Sequence, residues 1–503
     1  MSFEPKYENI TFMRKGKAFQ ERVKIECNTE VMSEGIVRIL SISAKPTMFS
    51  VVNQENTINY QGKVNFFVCY EDQTGSIVKK ECGKEFNGTI ASNSLAQDVK
   101  VYIYPCVEKT EGEFSGVNLV VFANLLLDCE LIETFKEPRF VQEDAIVSNS
   151  SETEVVKSYG VREATYPLQE EFEFNSVIQE VIYQQAQAVV CSCQCGVGSI
   201  IVDGQVYLSA IFLQSNEKRD IIRENKILPF KMEIDCEEAM PTMLVTARVW
   251  EKSIKTEIIV DESLSTSTVN CTVVLKFEGE AFATDSINVV TDAFSLTNET
   301  ALTKQTCVYH KALESRCATA TIDGRAQIDE LPIGTTMLAC FNERAEIASI
   351  DCKTDCISIL GTLYLTVLFK DAEGKFFYRK AETSFNTNID VNIAGASDCT
   401  VLCVANSAKA KMISATELEL TTDLALSIYP YEQRELTIVK EIQLLEEKQV
   451  ENSALSIYIP TNKEELWSLS KRLNICPEDL LQANPELKFP LSGTERIVVF
   501  RKI

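Results

Sequence analysis

Histidine is nearly missing from this chain of 503 residues: His310, within Thr306–Ala312, is the one copy. It has no Ser or Cys partner at motif spacing, and the nucleophile elbow, metalloprotease helix and phosphate-binding glycine loop are missing too. Gly196-Val197-Gly198 lacks a third glycine and precedes a strand, so it reads as a turn. His310 is therefore expected to be structural or on the surface. Basic residues are also short. Lys and Arg number 49 against 73 Asp and Glu, a formal charge of −24, with no basic tail. That argues against nucleic acid or an anionic membrane as the main ligand, since both need clustered cations. A signal peptide is not legible either, because MSFEPKYENITF has no basic n-region followed by an apolar stretch. The longest apolar run, Val117–Ile132, is broken by Asn118, Asn124, Asp128 and Glu130 and is too short to form a transmembrane segment.

Metal spacing is lacking as well. Cys191, Cys193 and Cys195 stand two apart, so in a strand all three thiols should point one way. Cys352/Cys356 and Cys399/Cys403 add pairs, but none has the two-residue spacer that zinc favours, and no metal or other cofactor is expected. Without export, the eighteen cysteines are expected to be reduced thiols packed as small apolar groups. The glycosylation acceptors in form, Asn87-Gly88-Thr89 and Asn298-Glu299-Thr300, then carry no meaning. Glycan hydrolysis would need a facing pair of carboxylates, and nothing singles one out.

What is present is repetition. Ile58–Tyr70, Ile200–Phe212 and Ile357–Phe369 align on Gly62, Gly204 and Gly361. Apolar residues alternate through each, placing one face of a β-strand inward with the glycine on that face. A glycine recurring at a strand-weakening position predicts a bulge or a close backbone approach. Acidic or polar turns follow at Glu71–Gly75, Ser215-Asn216-Glu217 and Asp371–Gly374. Each copy closes on a long alternating run, Val117–Leu131, Val269–Phe277 or Leu418–Ile428. Val23–Cys27 and Val189–Cys195 read as short strands, and Val37–Ile42 leads to a break at Pro46. Thr134–Glu170 and Ala281–Ser315 are weakly periodic, which suggests strands or hairpins exchanged with neighbours. Glu435–Val450 continues outward as strand or short helix, and Glu451-Asn452-Ser453 reads as a hinge.

The last fifty residues change character. Leu466, Leu469 and Leu473 lie at helical spacing within Lys463–Leu473. Pro477 suits the first turn of a second helix, Pro477–Ala483. Strands are expected at Leu455–Ile459 and Arg496–Phe500. The core of this small unit should be Leu466, Leu469, Leu473, Leu480, Leu481, Ile497 and Val499.

The C-terminal residues resemble a LysM domain, through Ile457–Pro460, Glu465–Leu473, Pro477–Leu481, Ala483–Leu487 and Arg496–Val499. The three repeats look like SPOCS domains, β-rich modules of proteins made in endospore formation. That similarity rests on the glycine-centred strand, its acidic turn and the closing strand, with Asp144–Val147 and Asp292–Ser295 also alike. Three such copies before a LysM unit resemble the SipL-like spore-coat morphogenesis family of clostridia. The resemblance implies a mainly β fold: β domains over 1–137, 138–297 with a connecting segment, and 298–445, then a β-α-α-β unit over 454–503. It implies a mother-cell cytoplasmic protein recruited to the forespore surface, joined to a coat-basement ATPase.

The expected function is a non-enzymatic scaffold, since tandem copies multiply surface whereas catalysis needs one special site. The three β domains are expected to form a rod. The alternative is a cell-wall or cortex protein binding peptidoglycan or a chitin-like glycan. In the LysM family the ligand lies between the strand-to-helix turn and the loop after the second helix. Here those residues are Asn462, Lys463, Glu464, Glu465, Leu466 and Trp467, then Asn484, Pro485, Glu486 and Leu487. The family's Gly-Asp-Thr-Leu turn reads Lys463-Glu464-Glu465-Leu466, where a glycan binder should keep the glycine. Lys463 and Glu464 are expected to be replaceable without loss of fold. Trp467 is either a binding anchor or a filler of a small core.

Overall fold

The computed structural model describes residues 5–31, 35–54, 57–91, 98–141, 146–216, 219–449 and 455–500. Asp144-Ala145, Glu217 and the hinge Glu451-Asn452-Ser453 lie outside them. The described residues are mainly β, with two short helices, both near the C-terminus. Among the described residues no helix is long and apolar enough to cross a membrane.

Each repeat forms an antiparallel meander with the glycine strand in the middle. The meanders are Ile36–Gln54, Thr57–Asp72 and Ile77–Ala91; then Ile178–Cys195, Ser199–Gln214 and Ile221–Asp235; then Thr336–Cys352, Cys356–Lys370 and Phe376–Asp390. Against each meander packs a second sheet built on a long closing strand. Asn118–Phe140 pairs with Tyr7–Lys15, Phe19–Glu30 and Asp98–Ser115. Thr266–Ser295 pairs with Ile146–Phe174 and Leu244–Asp261. Glu417–Glu447 pairs with Asn298–Ala312, Arg316–Gln327 and Asp398–Met412. The strand order is the same three times. Alternation drives the packing: Leu119, Val121, Ala123, Leu125 and Leu127 face Val64, Phe66, Val68 and Tyr70 in one buried core. Each large side chain so buried contributes about 1.5–3 kcal/mol. Pro46 does not break its strand, which runs on to Gln54; an outer strand of a sheet tolerates the missing N–H.

The recurring glycine has a steric cause. Gly62, Gly204 and Gly361 stand opposite Phe86, Phe230 and Phe385 on one neighbouring strand. On the other neighbour the pairing skips Phe49, Cys191 and Ala348, so a bulge lies beside the glycine every time. A Cβ on Gly361 would come within 2.5 Å of the Glu346 carbonyl and 2.6 Å of the Phe385 ring, and the other two positions are similarly closed. The two expected turns that lie wholly within the described residues are present too. Asp72 Oδ1 accepts from Thr74 N and Ser76 N, and Asp371 Oδ1 accepts from Glu373 N and Lys375 N. Gly75 and Gly374 take positive φ there.

The repeats do not string out as a rod; they close on one another. Leu40 and Ile77, Tyr183 and Ile211, and Phe341 and Phe376, two from each repeat, share one apolar cluster where the meanders meet. The outer halves of the closing strands form two-stranded ribbons with Tyr7–Lys15, with the start of Ile146–Phe174 and with Asn298–Ala312. These ribbons pair inside their own repeats, so among the described residues no strand is exchanged. They then pack together through Phe12, Val289, Tyr309 and Ile438. The weakly periodic segments supply these ribbons, where neighbours such as Val289 and Val290 are buried in different clusters and simple alternation is lost.

The C-terminal unit pairs Leu455–Tyr458 with Ile497–Phe500 and holds helices Leu466–Leu473 and Pro477–Ala483. Its core contains Leu469, Leu473, Ile475, Leu480, Leu491, Ile497 and Val499. Leu481, expected inside, is exposed. The first helix begins at Leu466 and not at Lys463, because Lys463 has φ +63° and cannot continue a right-handed helix.

Candidate functional site

The turn into the first helix is stitched internally. Lys463 N donates to Leu491 O at 2.7 Å, and Leu491 N donates back to Glu464 O at 2.9 Å. Glu464 is buried, accepting from Thr461 N at 2.9 Å and from Arg472 Nη2 at 2.9 Å. Burial works against its charge, but the Thr461 amide and the Arg472 guanidinium outweigh it and hold the carboxyl below its ordinary range. Glu464 is thus a structural carboxylate, and the expectation that it could be replaced freely is corrected. Asn484 is buried likewise: its Nδ2 donates to Leu480 O and Val498 O, and its Oδ1 accepts from Val498 N. Asn462, Lys463, Glu465, Pro485 and Glu486 are exposed, while Leu466 and Leu487 lean into the shared core.

Trp467 does something that neither sequence reading anticipated. Its Nε1 donates to Asp292 Oδ2 at 2.7 Å, and its ring sits 5.3 Å from that of Phe294. Lys471 Nζ reaches Asp292 at 2.9 Å, and Lys304 meets the same carboxylate at 2.9 Å. Asn474 Nδ2 donates to Leu296 O, and Lys448 Nζ donates to Asn474 Oδ1 at 2.7 Å. The first helix therefore docks on the ribbon end of the second repeat. Burial would raise the Asp292 carboxyl, yet Trp467, Lys304 and Lys471 together bring it down to about 2. Asp292–Ser295 had stood out in the sequence only as a family-like motif.

With that helix face occupied, the most exposed large apolar side chains of the unit lie on or beside its sheet. Leu455, Ile457, Ile459 and Phe500 are 55%, 63%, 69% and 64% exposed, all pointing away from the helices. Both faces of this two-stranded sheet are apolar, a pattern that elsewhere marks strands covered on both sides. The signal was present in LSIYI and IVVF, where the residues between the core positions are apolar as well.

Where the repeats meet, the polar groups are consumed by one another. Arg248 Nη2 donates to Glu130 Oε2 at 2.8 Å, and Arg248 Nε donates to the Tyr104 hydroxyl at 2.7 Å. Thr400 Oγ1 and the Tyr431 hydroxyl bond Glu130 Oε1. A cavity of about 600 Å³ is lined by residues of all three repeats, and its Lys45 pairs with Glu251 at 3.1 Å. His310 is buried, with Nδ1 accepting from Lys15 N at 3.3 Å. Burial lowers its pKa, Asp398 opposes that, and Lys15 and Arg14 add to it.

The cysteines depart from expectation. Cys352 and Cys399 are joined in a disulfide, so the chain is not uniformly reduced; sixteen remain free. Cys193 and Cys195 sit in the second core, but Cys191 is the bulged residue and its thiol leaves that core. Among the described residues no group of three or more His, Cys, Asp or Glu is placed to hold a metal. No protein-family profile, curated protein or solved structure matches this chain.

Proposed function

We propose that this chain is a non-enzymatic scaffold of endospore formation, made of three SPOCS-like modules closed into a ring and a LysM-like unit that docks a protein. The carrying observation is the outward sheet face of Ile457, Ile459 and Phe500, apolar and exposed. A contiguous apolar patch on an otherwise acidic protein is a site for another macromolecule. The partner suggested by the family resemblance is a coat-basement ATPase at the forespore surface. Glycan binding is less well supported, because the Lys463 amide and the Glu464 carboxylate at the strand-to-helix turn are already engaged within the unit.

The test is capture of purified coat-basement ATPase by the full chain, with Ile457→Arg as the altered form. Capture should fall at least tenfold while the melting temperature holds, since the side chain lies on the surface. Undiminished capture, or tight binding of chitin oligomers by the parent, would count against the reading.

A further inference from the structure

Cys191 and Cys317 lie on different repeats, and their surroundings bring them side by side. Cys317 is opposite Ser427 in the third repeat's outer sheet. The Ser427 hydroxyl bonds both Val190 N, at 2.9 Å, and Val190 O, at 3.0 Å, on the second repeat. Two residues along, Cys193 Sγ reaches Ser315 Oγ at 3.6 Å. The two strands thus run past each other with Cys191 facing Cys317 across the seam. The bulge opposite Gly204 turns Cys191 out of its own core toward this seam. Cys317 is exposed to solvent, and Cys191 is half-buried behind it.

We propose that Cys191 and Cys317 form a peroxide-sensitive modification site that, when oxidised, bonds the second repeat covalently to the third. The chemistry is that of an attacking and a resolving cysteine. The Cys317 thiolate attacks a hydroperoxide, breaking the O–O bond, to give a sulfenic acid and release hydroxide or alkoxide. The Cys191 sulfur then attacks that sulfenic sulfur. The S–O bond breaks, a disulfide forms, and the oxygen departs as water with the Cys191 proton. Two thiols supply two electrons and one hydroperoxide accepts them. Exposure makes Cys317 the attacking partner, and the neighbouring Cys191 thiol lowers the Cys317 thiol to about 6. The remaining free cysteines are mostly buried.

The test uses the full chain, reduced gently and then exposed to dilute hydrogen peroxide. After blocking of free thiols, it is digested with trypsin without reductant. Arg316 and Arg325 release Cys317 on the short peptide 317–325, and Cys191 lies on 163–218. Beside the Cys352–Cys399 pair, the expected result is one further joined species, two hydrogens lighter than peptides 163–218 and 317–325 together, with fragmentation placing the bond at Cys191 and not at Cys193 or Cys195. It should vanish in Cys317→Ser, an exposed and structurally mild change, and should form equally at tenfold lower protein concentration. Peptide 317–325 recovered with a free or merely over-oxidised sulfur, bonded to another cysteine, or bonded between two molecules would overturn the proposal.

Discussion

Arg248 and Glu130 meet at 2.8 Å with both side chains almost wholly buried, one on the second repeat and one on the first. The third repeat completes the arrangement through Thr400 and Tyr431, and the Arg248 guanidinium also lies 3.8 Å from the Tyr102 ring centroid. A buried pair of this kind is not a source of net stability by itself, because desolvation cancels much of the attraction. Its value is specificity, since an Arg sealed among tyrosines tolerates no partner but a carboxylate placed as Glu130 is.

Removing one half should therefore hurt more than removing both. Glu130→Leu is expected to cost about 3–5 kcal/mol by leaving Arg248 unpaired. The double change with Arg248→Met should recover most of that. Melting temperatures of the two variants check it. Equal damage from single and double variants would remove the pair from its proposed role.

The same pair sets an acid limit. Burial opposes the Glu130 charge, but Arg248 and Thr400 prevail and the folded carboxyl titrates below its ordinary value. A depressed carboxylate contributes fully above the unfolded pKa, about 4.3 for Glu, and loses its contribution as pH falls through the folded value. Association of the repeats should weaken below about pH 4 by this linkage, as read by thermal melts across pH 2–6. In the double variant that acid sensitivity should shrink.

Asp292 governs the C-terminal unit. Its folded carboxyl is near 2, so docking should persist at neutral pH and fade as pH drops from the ordinary Asp range toward 2. Asp292→Asn should loosen the contact at every pH. With Trp250→Phe to leave Trp467 as the sole indole, its fluorescence should shift to the red while the repeats melt unchanged. Emission identical to the parent would show that the indole environment does not depend on this carboxylate.

The glycine positions should be intolerant. Gly361→Ala places a methyl against the Glu346 carbonyl, which the ladder holds in place, so about 3 kcal/mol or more of stability is expected to be lost. Pairing it with Phe385→Ala should recover little, because the carbonyl clash remains.

Lys463→Gly should act oppositely. A lysine at φ +63° costs about 1–2 kcal/mol that glycine does not incur, so the C-terminal unit should unfold at slightly higher temperature. Glu464→Ala should lower it. Opposite signs at adjacent residues distinguish backbone strain from loss of charge.

The sequence carried the strands well because one buried face forces alternation, and Leu119–Leu127 or Ile357–Phe369 can bury one face in no other way. The recurrence of glycine was legible, while its cause was not. Phe86, Phe230 and Phe385 lie on another strand, and only the register sets them over it. Ring closure was hidden because its contacts, the apolar cluster of Leu40, Tyr183 and Phe341 and polar pairs such as Lys45 with Glu251, join residues far apart in the chain. At the candidate site, Glu464 was expected to line a groove and is instead buried. Glu464 turns inward because Arg472, two turns along, draws it there. Trp467 was weighed as core filler or external anchor, and its true neighbour, Asp292, is 175 residues away.

The strand Glu417–Glu447 is held by ladders along nearly its whole length and leads toward the C-terminal unit. If that unit is fastened to a partner, tension arriving through it runs along the strand axis. Antiparallel hydrogen bonds lie across that axis and are loaded in shear, so many must yield together before any slips. A tether of this construction resists a pull far better than a hairpin opened one bond at a time.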